Sequence, residues 1–251
     1  MKKSKTIGGF KNLLSFNNVK TIKGEKLGYR TAILYLSPSD ESGVANLCKF
    51  ASKSCRELCL YNSGMSLMFP KINIARKKKT LLLIQDPDGF WKFVDDEIHN
   101  LRGWCWNKNL TPAVRLNGTS DILNEQIIVM MNKNSDIQFY DYTKDITRIS
   151  NYVSGKLPHN YHLTYSHSEG RLKESMWCLN NKVNVAVVFD TKKSKSLPEK
   201  WNGYPVVDGD ESDLRFLDEP VNGAGVVIGL RAKGKARKVI SRAGGFVNPS
   251  V

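Results

Sequence analysis

Short apolar runs rich in β-branched residues alternate along this sequence with stretches of helical spacing. The runs cover residues 31–36, 113–116, 137–140, 161–165, 183–189, 204–207 and 226–230. The clearest helical stretches are residues 71–85, 89–106, 122–133 and 170–180. Strand–helix alternation of this kind predicts an α/β fold with a mostly parallel sheet. Seven strand candidates indicate a partial or complete βα (TIM-like) barrel rather than a small open sheet.

The composition is that of a globular protein. The chain has 251 residues, of which 41% are hydrophobic, and this excludes a disordered or collagen-like chain. Residues 1–30 are polar and basic, so we expect an N-terminal basic arm followed by a single α/β domain over residues 31–251. No run approaches the ~18 apolar residues that a membrane helix needs. The N-terminus lacks the continuous apolar segment of a secretory signal, and we therefore expect a cytoplasmic protein.

Nearly every predicted strand is followed by a polar cluster. Because the carboxyl ends of parallel strands face the ligand site in βα folds, these clusters predict a shared cofactor site. The candidate cofactor-binding residues are Arg115, Asn117, Gly118, Ser120, Asp121, Tyr142, Lys144, Ser166, Ser168 and Glu169. The alternative is that the clusters only stabilise turns, with Ser120 or Asp121 capping the helix at 122–133.

Three of the five cysteines lie close together in the sequence. Cys48, Cys55 and Cys59 have the spacing C-x6-C-x3-C, whereas Cys105 and Cys178 stand alone. Neither interval is a zinc knuckle, and the odd number disfavours a disulfide framework. Three thiolates suit a [4Fe-4S] cluster with one iron open to a small-molecule ligand, and the basic residues between them would lower the thiol pKa. Three unligated cysteines in a loop are the alternative.

The cysteine triplet after the first strand of a predicted βα barrel resembles the radical SAM superfamily. In that superfamily three cysteines hold a [4Fe-4S] cluster whose open iron chelates S-adenosylmethionine. The resemblance implies this cofactor and radical-type redox chemistry, with residues 117–121 in the place of an element that contacts the methionyl amine. The spacing departs from the superfamily's usual C-x3-C-x2-C.

A second resemblance covers the chain from about residue 17 to the C-terminus. Four phrases are similar to the phage gene product 88 family: residues 27–36, 113–121, 138–144 and 209–215. This resemblance implies a phage or prophage origin and supports the cysteine triplet as a ligand set. It implies no reaction.

The charge distribution leaves two other functions open. The 38 Lys+Arg outnumber the 24 Asp+Glu, and the net charge of +14 favours encounter with polyanions. The basic stretches at residues 76–79, 192–195 and 231–238 would suit a nucleic-acid-binding protein that carries a cluster without radical chemistry. The acidic cluster Asp208, Asp210, Glu211 and Asp213 would suit a divalent-metal-dependent nuclease, unless these carboxylates pair with basic neighbours.

Overall fold

The computed structural model describes residues 6–17 and 19–250. Its strands are β1 Leu14–Ser15, β2 Tyr29–Leu34, β3 Thr111–Arg115, β4 Gln138–Thr143, β5 Tyr161–Ser166, β6 Val185–Phe189, β7 Lys200–Trp201, β8 Tyr204–Asp208, β9 Val227–Arg231 and β10 Val247–Asn248. Its α-helices are α1 Val19–Glu25, α2 Lys53–Glu57, α3 Met65–Met68, α4 Pro70–Gln85, α5 Pro87–Trp106, α6 Glu125–Lys133, α7 Ile146–Val153 and α8 Leu172–Asn180. The seven predicted strands and the four predicted helices are all confirmed, with shifted bounds.

The strands form one mixed sheet in the order β1-β2-β3-β4-β5-β6-β9-β8-β7, with β10 beside β6. β1 runs antiparallel to β2 and β7 antiparallel to β8, whereas β2, β3 and β4 are parallel, as are β5, β6, β9 and β8. Among the described residues no pairing joins β7 to β1, so the sheet is open. The mixed α/β class is confirmed, but the sheet does not close into a complete barrel, because a two-residue antiparallel strand ends the ladder at each edge.

The chain groups into two compact units, each assembled from separate stretches. The first unit contains the described residues up to Lys49, together with Phe69–Asp141 and Pro158–Tyr161. The second unit contains Phe50–Met68, Tyr142–Leu157 and the chain from His162 onward. Among the described residues, no helix is both long and apolar enough to cross a bilayer.

In the first unit, α5 supplies much of the core. Asp86 caps its N-terminus by accepting the N–H of Gly89 at 2.9 Å, and Pro87 follows at the first helical position. The apolar side chains that α5 buries lie along one side of the helix, as in an amphipathic helix: Phe90, Trp91, Val94, Ile98, Leu101 and Cys105. Full burial of one such large apolar side chain contributes about 1.5–3 kcal/mol.

Two buried charges of the first unit hold its N-terminal strand. Glu97 accepts the N–H groups of Leu13 at 3.0 Å and Leu14 at 3.1 Å, and Lys79 donates to the carbonyl of Leu13. Burial raises the pKa of Glu97 to about 7 and lowers that of Lys79 to about 8, so desolvation outweighs the attraction between the two groups. Leu13 and Leu14 are themselves buried, so this part of the predicted arm packs into the first unit.

The second unit has its core around β6. Val185, Val187 and Phe189 on one face of the strand are fully buried, and Ala186 on the other face is buried as well, which is typical of a central parallel strand covered on both faces. A neighbouring apolar cluster consists of Ala186, Val226 and Ile228. The candidate cofactor-binding residues of this unit lie at the carboxyl ends of β4 and β5.

Candidate functional site

Asn117 organises the turn that follows β3 in the first unit. Its N–H and its Nδ2 donate to the two carboxylate oxygens of Asp141 at 2.8 and 2.9 Å, and Tyr161 donates to the same carboxylate at 3.1 Å. Its Oδ1 accepts from Ser120 at 2.9 Å and from the N–H of Ile122 at 2.8 Å. A fully buried carboxylate needs several donors, and these contacts supply them. The geometry gives Asn117 and Ser120 a turn-stabilising role.

Gly118 lets this turn approach β2 closely. A Cβ at this position would lie 2.6 Å from the ring of Tyr35 and 2.8 Å from Cγ2 of Ile33, both of which are shorter than van der Waals contact. Arg115, the last residue of β3, is buried as well. The predicted helix cap was wrong: neither Ser120 nor Asp121 caps α6, because the side chain of Asn124 accepts the N–H of Ile127 at 2.9 Å.

The first cysteine of the triplet lies beside the same turn. The thiol of Cys48 contacts the carbonyl of Thr119 at 3.8 Å, and the N–H of Cys48 donates to the side chain of Asn46 at 2.9 Å. One residue earlier in the chain, Leu47 accepts the N–H of Asp121 at 2.8 Å. Cys48 therefore lies at the carboxyl end of β3, within the first unit, next to the predicted residues 117–121.

In the second unit, Glu169 holds the segment that carries the other two cysteines. Its carboxylate accepts from the hydroxyl of Ser52 at 2.9 Å, from the N–H of Ser54 at 2.9 Å and from Ser168 at 3.0 Å. Ser52 also caps α2 by accepting the N–H of Cys55 at 3.1 Å. Burial alone would raise the pKa of Glu169, but the donors from Ser54 and Ser52 outweigh burial and hold it below its usual range.

Lys144 joins the ends of β4 and β5 in the second unit. Its buried ammonium donates to the hydroxyl of Ser166 at 2.7 Å, to the carbonyl of Ser166 at 3.1 Å and to that of His167 at 3.3 Å. It also lies 5.8 Å from the ring centre of Phe246, within cation–π range. Tyr142, by contrast, packs against the apolar cluster of Ala186, Val226 and Ile228.

Sequence reasoning did not single out His167 as a cofactor-binding candidate. Its Nδ1 forms a 2.8 Å hydrogen bond with the hydroxyl of Ser175, and its ring meets that of Trp201 edge to face at 4.9 Å. Burial, together with the nearby charge of Lys144, lowers its pKa to about 4, so the imidazole is neutral at pH 7. The sequence feature that could have identified His167 is its position between Ser166 and Ser168, in the polar cluster at the end of a predicted strand.

The five cysteines differ in exposure. Cys48, Cys55 and Cys59 are half-buried, whereas Cys105 and Cys178 are buried, and burial raises the pKa of these last two thiols to about 11 and about 12. Among the residues the structure describes, no three His, Cys, Asp or Glu side chains are grouped so that they could hold a metal ion. Cysteine thiols are the usual ligands of an iron–sulfur cluster, but the described residues contain no set of ligands already assembled around one point.

The C-terminal basic segment is built on the cysteine-bearing segment of the second unit. Gly234 begins a 3-10 helix, Gly234–Lys238, with φ of 56°, and a Cβ there would lie 2.6 Å from Cβ of Ser63. Leu58, which precedes Cys59, packs against an apolar cluster that consists of Ala232, Ala236 and Val247. The position of the basic segment therefore depends on residues 58–63.

The acidic cluster of the second unit is engaged with basic neighbours. Arg231 contacts the carboxylate of Asp208 at 2.8 Å and that of Asp210 at 3.4 Å, and Lys233 contacts Asp210 at 2.6 Å. Burial alone would raise the pKa of Asp210, but Lys233 and Arg231 hold it below its usual range. These contacts match the salt-bridge alternative for Asp208 and Asp210.

Comparisons with known proteins place the chain in one family. Neither the curated proteins nor the solved structures include a significant match. A family model described as Gene product 88 matches residues 12–245, which include most of both units. The four phrases that suggested this resemblance all fall inside the matched range. The chain belongs to the phage gene product 88 family.

Proposed function

We propose that this phage protein binds a [4Fe-4S] cluster through Cys48, Cys55 and Cys59 and acts in the cytoplasm of the host cell. The observation that carries the proposal is the contrast in burial among the thiols: these three are half-buried, whereas Cys105 and Cys178 are buried. A half-buried thiol is accessible to incoming iron. Burial that raises the pKa of a thiol makes it a poor ligand, because the thiolate is the form that binds metal.

Residues around the triplet suit an anionic cluster. Lys49, Lys53 and Arg56 are exposed and lie beside the cysteines in the sequence, where positive charge favours thiolates and offsets the charge of the cluster. In the second unit, Glu169 fixes the start of α2 and so limits the conformations of the segment that carries Cys55. A ligand segment that is already ordered loses less conformational entropy when it binds metal.

The finer part of the proposal rests on the resemblance to the radical SAM superfamily. In this part of the proposal, the open sheet corresponds to a partial barrel like the radical SAM core, and S-adenosylmethionine is the second cofactor. When bound, the cluster would supply the electron for reductive cleavage of that cofactor. Two hydrogen-bonded pairs at the end of β5 support this second cofactor, Lys144 with Ser166 and Ser168 with Glu169, since hydroxyls and a carboxylate can receive the hydroxyls of a ribose.

Iron analysis tests the cluster. The protein is purified without oxygen and reconstituted with iron and sulfide, and its iron, sulfide and EPR spectrum are measured. We expect about four irons per chain, as a cubane requires, and loss of the signal in Cys55→Ala. Cys105→Ala is the matched control, since it removes a buried thiol, and it should keep the iron. Wild-type protein without iron, or equal iron in both variants, would overturn the proposal.

A separate assay tests the second cofactor. The reconstituted protein is reduced with dithionite in the presence of S-adenosylmethionine, and 5′-deoxyadenosine is measured. Its formation in the wild type, with none in Cys55→Ala, supports radical chemistry. A loaded cluster that leaves S-adenosylmethionine intact would refute the radical chemistry and leave cluster binding standing.

A further inference from the structure

Two basic stretches that are far apart in the sequence meet in the second unit. β6 and β9 are parallel neighbours, and Phe189 at the end of β6 lies opposite Arg231 at the end of β9. The chain therefore leaves both strands at adjacent points, into residues 192–195 after β6 and into residues 233–238 after β9. The guanidinium of Arg231 donates to the carbonyl of Lys195 at 3.1 Å and joins the two stretches directly.

A third stretch joins them near the C-terminus. The hydroxyl of Ser241 donates to Asp190, the residue after β6, at 2.5 Å. The N–H of Arg242 donates to Val247 at 3.0 Å, and Val247 belongs to β10, which pairs with β6. Arg242 is thereby held in the neighbourhood of the strand that leads into residues 192–195.

Two of the acids in this region are paired with cations, and a third, Asp190, is held by neutral donors from Ser241 and Ser250. Asp208 and Asp210 are paired with Arg231 and Lys233, and no Asp or Glu occurs in residues 191–198 or 231–251. The remaining cations are exposed, and the structure describes no ion pair for any of them. We call them the basic surface: Lys192, Lys193, Lys195, Lys235, Arg237, Lys238 and Arg242.

We infer that the basic surface binds the phosphate backbone of nucleic acid. Phosphates repeat along a strand, so they match cations that three neighbouring stretches present together. Contacts from Lys and Arg to phosphate carry no base information, and binding is therefore independent of sequence and steeply dependent on salt. Within the basic surface, residues 235–238 are positioned by the cysteine-bearing segment, because Gly234 lies against Ser63 and Ala236 belongs to the apolar cluster that Leu58 packs against.

Salt-dependent binding tests the inference. The probe is a labelled 20-base-pair DNA duplex of arbitrary sequence, and affinity is measured by fluorescence anisotropy between about 50 and 200 mM NaCl. The test variant replaces Lys192, Lys193 and Lys195 by Gln. The matched control replaces Lys26, Lys92 and Lys108 by Gln; these are exposed residues of the first unit outside the three basic stretches, so the net charge falls equally.

The two variants should differ in their salt dependence. If the test variant loses three phosphate contacts, its plot of log affinity against log salt becomes shallower by about 2.7. Between 50 and 200 mM NaCl its affinity should then fall by a factor about 40 times smaller than the factor for the wild type. The control should keep the wild-type slope. Equal slopes in the two variants, or no binding by the wild type, would overturn the inference. The assay needs no cluster, so its failure is distinguishable from that of iron binding.

Discussion

The backbone N–H of Ser54 donates to the carboxylate of Glu169 at 2.9 Å, and this contact fixes the start of α2 to the end of β5. Ser52 donates to the same carboxylate and also caps the helix, so one acidic side chain orders the stretch that leads to Cys55. A charged acceptor is suited to this task because hydrogen bonds to a carboxylate are stronger than those to a neutral group.

Glu169→Gln should destabilise the protein at neutral pH by about 1 kcal/mol, a modest value because the carboxylate is partly hydrated. The pKa of Glu169 is held below its usual value of 4.5, so its contribution is present above that pH and is lost as pH falls through the folded-state pKa. Urea unfolding at pH 7 and at about pH 3 measures this. The exposed Glu211→Gln is the control, and an equal loss in both variants would contradict the prediction.

Glu97→Gln should change the pH dependence of stability in the opposite direction. Because burial raises the pKa of Glu97 from 4.5 to about 7, its contribution is present below the unfolded-state pKa and is lost as pH rises from 4.5 through about 7. The stability of the wild type relative to Glu97→Gln should therefore fall by roughly 2 kcal/mol between pH 4.5 and pH 7.5. Urea titrations at several pH values test this, and the exposed Glu125→Gln should show no such trend.

Two glycine substitutions should have opposite effects. Gly118→Ala would place a Cβ 2.6 Å from the ring of Tyr35, and we expect it to destabilise the protein by about 1–3 kcal/mol. Gly103→Ala lies within α5 with open space around the new Cβ, and it should stabilise the protein by about 0.5–1 kcal/mol. Thermal unfolding of both variants gives the sign, and a stable Gly118→Ala would show that the turn can move away from Tyr35.

The cysteines of the cluster-free protein should divide into two reactivity classes. Cys48, Cys55 and Cys59 should react rapidly with a thiol reagent at pH 8, because these residues are partly exposed to solvent. Cys105 and Cys178 should react only after unfolding, since burial keeps their pKa near 11 and 12. Labelling followed by peptide mass spectrometry identifies each site. Fast labelling of Cys178 in the folded protein would contradict the assignment.

The strands and long helices could be predicted because each carries a repeating apolar pattern. β6, for example, is a continuous β-branched run that ends at Phe189, and α5 repeats apolar residues at helical spacing. The edge strands β1 and β7 could not be predicted, since two residues contain no periodicity. Closure of the sheet depends on which edges pair, and strand count alone does not determine that pairing.

The candidate residues were predicted from the strand-end rule, which directed attention to residues 117–121 and 166–169. It could not separate residues that stabilise a turn from residues free to bind a ligand. The partners that decide this are remote in the sequence: Asn117 is held by Asp141, 24 residues later, and Ser52 by Glu169, 117 residues later. Asp141 itself reads in the sequence as another polar strand-end residue, although it is fully buried.

The long separation between Ser54 and Glu169 also has a consequence for synthesis of the chain. The ribosome must add 115 residues after Ser54 before its acceptor exists. At ordinary elongation rates this takes on the order of 6–23 s. During that interval Cys55 and Cys59 lack this anchor, so the proposed cluster binding implies that iron would be loaded after translation rather than during it.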